Sequence, residues 1–195
     1  MKKITIFLLC IIIFGCYIYI QSSFIKFFIV KEESKENLNL AYEWVQQTDN
    51  NIQNEVCNTQ DLISENNLVG ILEIPKLNVY APVKEGTTQE IMKTSVGHFI
   101  ESDFWNGNVS LASHNGGTNA HFFEKIYLLN NNDEIIYYTK LGIRKYKVSE
   151  IKEIASTDWS MVEKNKNSNK NTITLITCIN NYPNKRLCVR AEEYF

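Results

Sequence analysis

The sequence predicts an all-β domain, a barrel or a sandwich, carried behind an apolar N-terminal segment. Three observations support this. Short runs rich in Val, Ile, Thr and Tyr recur between Leu68 and Glu192, Gly, Pro and Asn punctuate them, and helical spacing is confined to brief stretches. A chain of 195 residues holds one domain of ordinary size plus a terminal appendage, and two catalytic domains would not fit.

Residues 1–30 read as a membrane anchor. Met1-Lys2-Lys3 precedes an uncharged stretch from Ile4 to Ile20, and apolar character resumes from Phe24 to Val30 across a single Lys26. That length spans a bilayer. Two lysines before it and the acidic segment Lys31-Glu32-Glu33-Ser34-Lys35-Glu36 after it place the N-terminus in the cytoplasm and the remainder outside the cell. A cleaved signal peptide has the same charge order, but no small-x-small pattern follows, and bulky Phe24, Phe27 and Phe28 fill the place. A retained anchor is the preferred reading.

Residues 31–67 are polar, with Leu38, Leu40, Ala41, Trp44 and Val45 in helical spacing, so one short helix and a loose connector are expected. The segment serves as a stalk, or its helix packs on the following domain, where Trp44 would find a use. Residues 68–195 form the compact domain. Val69–Ile74 reads as a strand stopped by Pro75, and Val79–Val83 as a second. Thr87–Met92 resembles a capped helix start, and Asn108–Ser113 is a strand closed by the turn Asn115-Gly116-Gly117. His121–Leu129 is predicted helical, with Phe122, Ile126 and Leu129 on one face. Glu134–Thr139 and Arg144–Ile154 alternate as strands around Leu141-Gly142. A polar loop, Asp158–Lys170, leads to a final hairpin of Thr172–Cys178 and Arg186–Glu192, with its turn expected near Tyr182-Pro183-Asn184.

Charge and cysteine content narrow the function. With 20 Lys and Arg scattered against 22 Asp and Glu, no basic footprint for nucleic acid exists. Of five cysteines, Cys10 and Cys16 lie in the apolar segment, leaving Cys57, Cys178 and Cys188. An odd number outside argues against a disulfide framework, and the expected hairpin register sets Cys178 opposite Arg186 rather than opposite Cys188.

Cys178 ends a β-branched strand at the lip of a loop, where a thiol reaches solvent, whereas Cys188 lies within Leu187–Ala191 and suits a core. His114 stands where an apolar strand meets a Gly-rich turn. His98 precedes Phe99 and is expected to pack, and His121 to serve as a local hydrogen-bonding group. Arg186 and Arg190 share a strand face about 13 Å apart at ~3.3 Å per residue, and only Arg186 approaches Cys178, leaving Arg190 as a surface ion-pair or rim residue. A thiol, an imidazole and a guanidinium on strand ends are the parts of an acyl-transferring thiolate enzyme. No metal-ligand spacing is present, and no cofactor is expected.

Thr174-Leu175-Ile176-Thr177-Cys178 resembles the Thr-Leu-x-Thr-Cys signature of sortases, with Arg186 on the following strand. Leu111-Ala112-Ser113-His114 is similar to the histidine motif of that family. Gly70-Ile71-Leu72-Glu73-Ile74-Pro75-Lys76-Leu77 resembles its first strand and Gly97-His98-Phe99 the segment before the histidine strand, so the likeness runs from Val69 to Ala191. The resemblance implies a Gram-positive, membrane-anchored cysteine transpeptidase with an eight-stranded β-barrel. Such an enzyme cuts a sorting signal of the Leu-Pro-x-Thr-Gly kind in surface proteins and passes the acyl group to an amine of peptidoglycan or of a pilin. It also implies catalytic roles for Cys178, His114 and Arg186, with Thr177 as a candidate substrate contact. Ser113 and Asn115 depart from the Gly and Arg that many members carry, which bears on subfamily and substrate. No segment resembles the lid of pilin-polymerising members, which points to a class B-like or class D-like enzyme. The competing readings are a cysteine peptidase that only hydrolyses and a non-enzymatic wall-binding β-domain with Cys178 as core filler.

Overall fold

The computed structural model describes residues 2–46, 62–117, 119–163 and 170–194. A single 45-residue helix, α1 (Lys2–Gln46), begins the chain. No Pro or Gly follows Gly15 within it, so nothing in the sequence breaks the backbone ladder between the apolar run and Trp44. The short separate helix expected in residues 31–67 is therefore the end of α1. Its first part is long and apolar enough to cross a membrane. The expected connector, with Cys57, falls on 47–61, outside the described residues.

Eight strands follow: β1 (Leu68–Ile74), β2 (Val79–Glu85), β3 (Val96–His98), β4 (Asn108–Ala112), β5 (Glu134–Thr139), β6 (Gly142–Ala155), β7 (Thr172–Ile179) and β8 (Tyr182–Glu193). They close in the order β1-β2-β3-β4-β7-β8-β6-β5, with β5 returning to β1. Closure leaves no unpaired sheet edge. A four-residue helix, α2 (Gln89–Met92), links β2 to β3, and Thr88 Oγ1 caps it by accepting from Ile91 N at 3.3 Å. Where β1 crosses β5, a Cβ on Gly70 would come within 2.2 Å of the Tyr138 carbonyl oxygen, so only glycine fits.

One pairing decides where the chemistry falls. β4 and β7 run parallel, with Ala112 beside Ile176, so the residues leaving their C-terminal ends emerge at the same rim. Inside the barrel, Val109, Leu111, Ile173, Leu175 and Val189 join a core with Tyr137 and Tyr146. A second cluster of Phe99, Ala112, Ile154, Met161, Val162, Ile176 and Cys188 lies under that rim.

The end of α1 packs on the barrel rather than standing free. Ala41 meets Leu68 and Ile71, flanked by Leu38 and Trp44, and burying side chains as large as Leu68 and Ile71 contributes about 1.5–3 kcal/mol each. Lys140 Nζ lies 3.3 Å above the Trp44 ring, and Asn37 Nδ2 donates to Thr94 Oγ1 at 2.9 Å in a buried contact.

Two local expectations are corrected. His121–Leu129 is not an α-helix: Glu124 N, Ile126 N, Leu128 N and Leu129 N each donate three residues back, and only Ile126–Leu128 forms a 3-10 turn. Three residues per turn aligns Phe123, Ile126 and Leu129 on the buried side in place of Phe122. The β7–β8 turn is Asn180-Asn181, with Asn181 at φ 65° and Ile179 beside Tyr182. A register shift between Ile179 and Cys178 absorbs Pro183–Lys185, so Cys178 still pairs with Arg186.

Candidate active site

The β4–β7 rim gathers the three residue types singled out above. Cys178 is exposed, in a strand whose residues Thr172 to Thr177 are all buried. Its strand partner is Arg186, and both line a cavity of about 290 Å³ together with His114. Phe99, Ile154, Trp159 and Val162 give that cavity apolar walls, while Asp158 and Arg186 put charge at its margin. A larger cavity of about 360 Å³, between α1 and the barrel, is lined by none of Cys178, His114 and Arg186.

His114 is braced from both sides. Thr177 Oγ1 donates to the Ser113 carbonyl at 2.8 Å, and Asn115 Nδ2 donates to the Cys178 carbonyl at 2.6 Å. These two bonds tie the residues flanking the imidazole to the strand end carrying the thiol. Thr177, the candidate substrate contact, is buried with its hydroxyl given to this brace, although the residue borders the cavity. Asn115 was visible in sequence only as a departure from a motif; the signal for its bracing role is the parallel β4–β7 register.

His114 Nε2 is buried and has no hydrogen-bond partner among the described residues. Burial first, and the charge of His121 second, hold the imidazole below its ordinary pKa. A nitrogen in that state is poised to exchange a proton with a group entering the cavity. Arg186 Nη1 donates to the carbonyls of Pro183 and Lys185, both at 2.8 Å, which holds the guanidinium against its own hairpin beside Cys178.

The other polar residues behave differently. His98 is buried, with Nδ1 2.7 Å from Glu85 Oε2 and Nε2 3.0 Å from the Asp103 carbonyl, so it packs as expected. His121 Nδ1 meets the Asn119 carbonyl at 2.9 Å, a local bond as expected. Arg190 is no surface ion-pair residue: it is half-buried, with Nε 3.3 Å from Thr174 Oγ1 and Nη2 3.2 Å from the Met161 carbonyl. Buried Asn108 Nδ2 reaches the same loop at Met161 O, 3.0 Å, and Glu163 O, 3.1 Å. The loop wall carrying Trp159 and Val162 is thus fastened to the barrel beneath the cavity, and residues 164–169 of that loop fall outside the described residues. Among the described residues no group of three or more His, Cys, Asp or Glu is placed to hold a metal ion.

The sortase-domain family model matches residues 72–194. The chain belongs to the sortase family. Sortase A of Bacillus anthracis is 28% identical over 140 residues, 71% of this chain and 64% of that protein, and sortase D of Bacillus subtilis (strain 168) is 29% identical over 111 residues, 56% and 53%. The chain thus spans less than two thirds of either curated sortase's length. A Clostridium perfringens sortase D5 transpeptidase superposes with a TM-score of 0.62 at 27% identity, covering 85% of this chain and 96% of that one. Sortase C1 of GBS Pilus Island 1 gives 0.72 at 20% identity over 83% and 92%, a likeness of fold. The sortase barrel expected from sequence is the observed architecture.

Proposed function

We propose that this sortase is a membrane-anchored cysteine transpeptidase that cuts a cell-wall sorting signal and passes the acyl group to an amine. The observation that carries the reading is one exposed thiol, Cys178, sharing a cavity with His114 and Arg186. Cys178 as thiolate attacks the carbonyl of a Thr-Gly-type peptide bond. His114, protonated, donates to the leaving amine, and a thioester to Cys178 results. Arg186 turns its guanidinium from the hairpin carbonyls to the developing oxyanion or to the substrate backbone, a charge-assisted contact worth a few kcal/mol in comparable sites. An amine of peptidoglycan or of a pilin then attacks the thioester, with His114 as base.

The apolar walls at Phe99, Trp159 and Val162 suit the Leu and Pro side chains of a Leu-Pro-x-Thr-Gly-like signal. Of the class B-like and class D-like alternatives, the second accords with 27% identity to the Clostridium perfringens sortase D5 transpeptidase and 29% to the Bacillus subtilis sortase D, while the Bacillus anthracis sortase A matches at 28% over a longer stretch. In this reading residues 1–30 anchor the chain with the N-terminus cytoplasmic, residues 31–67 connect, and residues 68–195 form the extracellular catalytic domain. The charge order around the apolar run supports that orientation.

The test incubates the full chain in detergent with Leu-Pro-x-Thr-Gly-like and Asn-Pro-x-Thr-like peptides, with and without triglycine, and reads products by mass spectrometry. The expected result is an acyl adduct on Cys178 that triglycine converts to a ligated peptide. Release of free acid alone, at a rate triglycine leaves unchanged, identifies a hydrolase, and absence of any adduct overturns the reading.

A further inference from the structure

The cavity between α1 and the barrel, about 360 Å³, plays no part in the chemistry proposed above, yet its walls are chemically divided. Phe27, Val30, Leu77 and Phe122 give it an apolar side. Lys31 borders it from α1 and Lys125 from the segment after His121, and both lysines are exposed. Among the described residues neither forms an ion pair, whereas Lys76, in the neighbouring β1–β2 connection, is held by Asp133 at 2.7 Å. Glu124, the one carboxylate among the residues that line the cavity, faces His121 Nε2 at 3.5 Å. Two uncompensated cations beside an apolar wall suit an amphiphile with a negative head.

The position of the cavity along α1 says where that amphiphile comes from. Ile4 to Ile25 holds no charged residue, and these 22 residues rise about 33 Å at ~1.5 Å each, close to the ~30 Å of a hydrocarbon core. Phe27 follows at once. Val30, Lys31 and Ser34 stand three, four and seven residues beyond it, so the four share one helix face, and that face borders the cavity. Glu32, Glu33 and Glu36 do not line it. With α1 inserted, the cavity opens at the depth of the lipid phosphates, in the leaflet where the apolar run ends.

We propose that this cavity holds the head of one anionic phospholipid from the outer leaflet. Its phosphodiester lies between the Lys31 and Lys125 ammonium groups, and the glycerol end of its acyl chains rests on Phe27, Val30 and Phe122. The inference rests on the membrane-anchored reading above and not on the acyl-transfer chemistry. A lipid held there ties α1 to the segment from Asn119 to Lys125, in which Phe123 N donates to the His114 carbonyl at 3.3 Å, so the lipid and the candidate catalytic histidine share one support.

The test takes the full chain in neutral detergent micelles, adds phosphatidylglycerol or phosphatidylcholine of the same chain length, and counts retained lipid by native mass spectrometry. One phosphatidylglycerol is expected to stay on each chain. Phosphatidylcholine, whose choline compensates the phosphate, is expected to bind about tenfold more weakly. The double variant Lys31→Gln, Lys125→Gln is expected to lose about thirtyfold in affinity for phosphatidylglycerol. The double variant Lys2→Gln, Lys3→Gln, altered at the other end of the apolar run, is expected to lose nothing. Rising salt is expected to erode the lipid preference of the unmodified protein, a measurement independent of whether any variant folds. Equal retention of the two lipids, retention that survives loss of Lys31 and Lys125, or loss with Lys2 and Lys3 would overturn the proposal. So would displacement of the lipid by an equal concentration of soluble glycerol 1-phosphate, which would make the ligand a free phosphate. Failure of the anchored reading is a separate result, because alkaline carbonate would then strip the chain from phosphatidylcholine vesicles.

Discussion

Cys178 and Cys188 occupy paired strands, β7 and β8, only a short way apart in the ladder, yet their surroundings are opposite. Cys178 is exposed at the rim, paired with Arg186 and sharing a cavity with His114. Cys188 is fully buried opposite Ile176, among Ile154, Met161 and Val162, and burial pushes its thiol up to about 12. The same side chain is a candidate nucleophile in one place and a small hydrophobe in the other. Position along the strand, two residues in register, decides which.

The sharpest way to break this contrast is substitution of each thiol. Cys178→Ala is expected to lower acyl transfer by a factor of 10³ or more, on the order of the loss of a nucleophile in other covalent enzymes, with the far-ultraviolet circular dichroism unchanged. Cys188→Ala is expected to leave transfer measurable; equal losses in the two variants would end the distinction.

Arg186→Ala is expected to cost about 10²–10³ in kcat/KM, the range for loss of an oxyanion donor. Lysine there should restore only part, since it lacks the planar fork. Arg190→Ala should act mainly on KM through the loop it fastens at Met161. Steady-state kinetics on the three variants would reverse the ranking if Arg190 were the group nearer the chemistry.

Acid–base behaviour sharpens the contrast further. In the proposed mechanism the Cys178–His114 pair carries one proton, so the acid limb of kcat/KM reports the imidazole, whose pKa burial holds below the ordinary 6.5. A bell-shaped profile with its acid limb below 6.5 is expected, and a flat profile from about pH 5 to 10 would count against both residues. For Cys188 the sign is opposite. Its folded pKa lies above the ordinary 9.0, so its contribution to stability is complete below pH 9.0 and is lost as pH rises towards about 12, where the unfolded thiol ionises first. Alkaline unfolding followed by circular dichroism should show this loss, and Cys188→Ala should remove it. The smallest effect is on neutral-pH stability: Cys188→Ala is expected to cost about 1 kcal/mol in denaturant titration.

Much of this arrangement was legible in the residues because it is written in local patterns. Thr172–Cys178 is a β-branched run that ends on a polar lip, and β7 ends one residue beyond it, at Ile179. The pairing of Cys178 with Arg186 was also legible, although the turn was not: an Asn-Asn turn with a register shift and a Tyr-Pro-Asn turn satisfy the same partner. β3 escaped notice because three residues are too few to alternate. His121–Leu129 misled because apolar residues near every third position suit both α and 3-10 spacing, and only the hydrogen bonds separate them. Asn115, Asn108 and Arg190 were illegible as braces, since each acts across more than 15 residues of sequence through contacts that exist only once the barrel closes.

The unbroken α1 carries a mechanical implication. Its residues Phe27 and Val30 border the cavity formed with the β1–β2 connection, while Ala41 and Trp44 grip the far end of β1 and the β5–β6 corner. The sixteen residue steps from Val30 to Gln46 rise about 24 Å at ~1.5 Å each, so the barrel is clamped along its own height to the helix whose first part is long and apolar enough to cross a membrane. With α1 as the anchor proposed above, the barrel does not fish through the wall on a leash. It presents its reaction centre at one altitude and one bearing, and whatever it joins must be delivered to that spot.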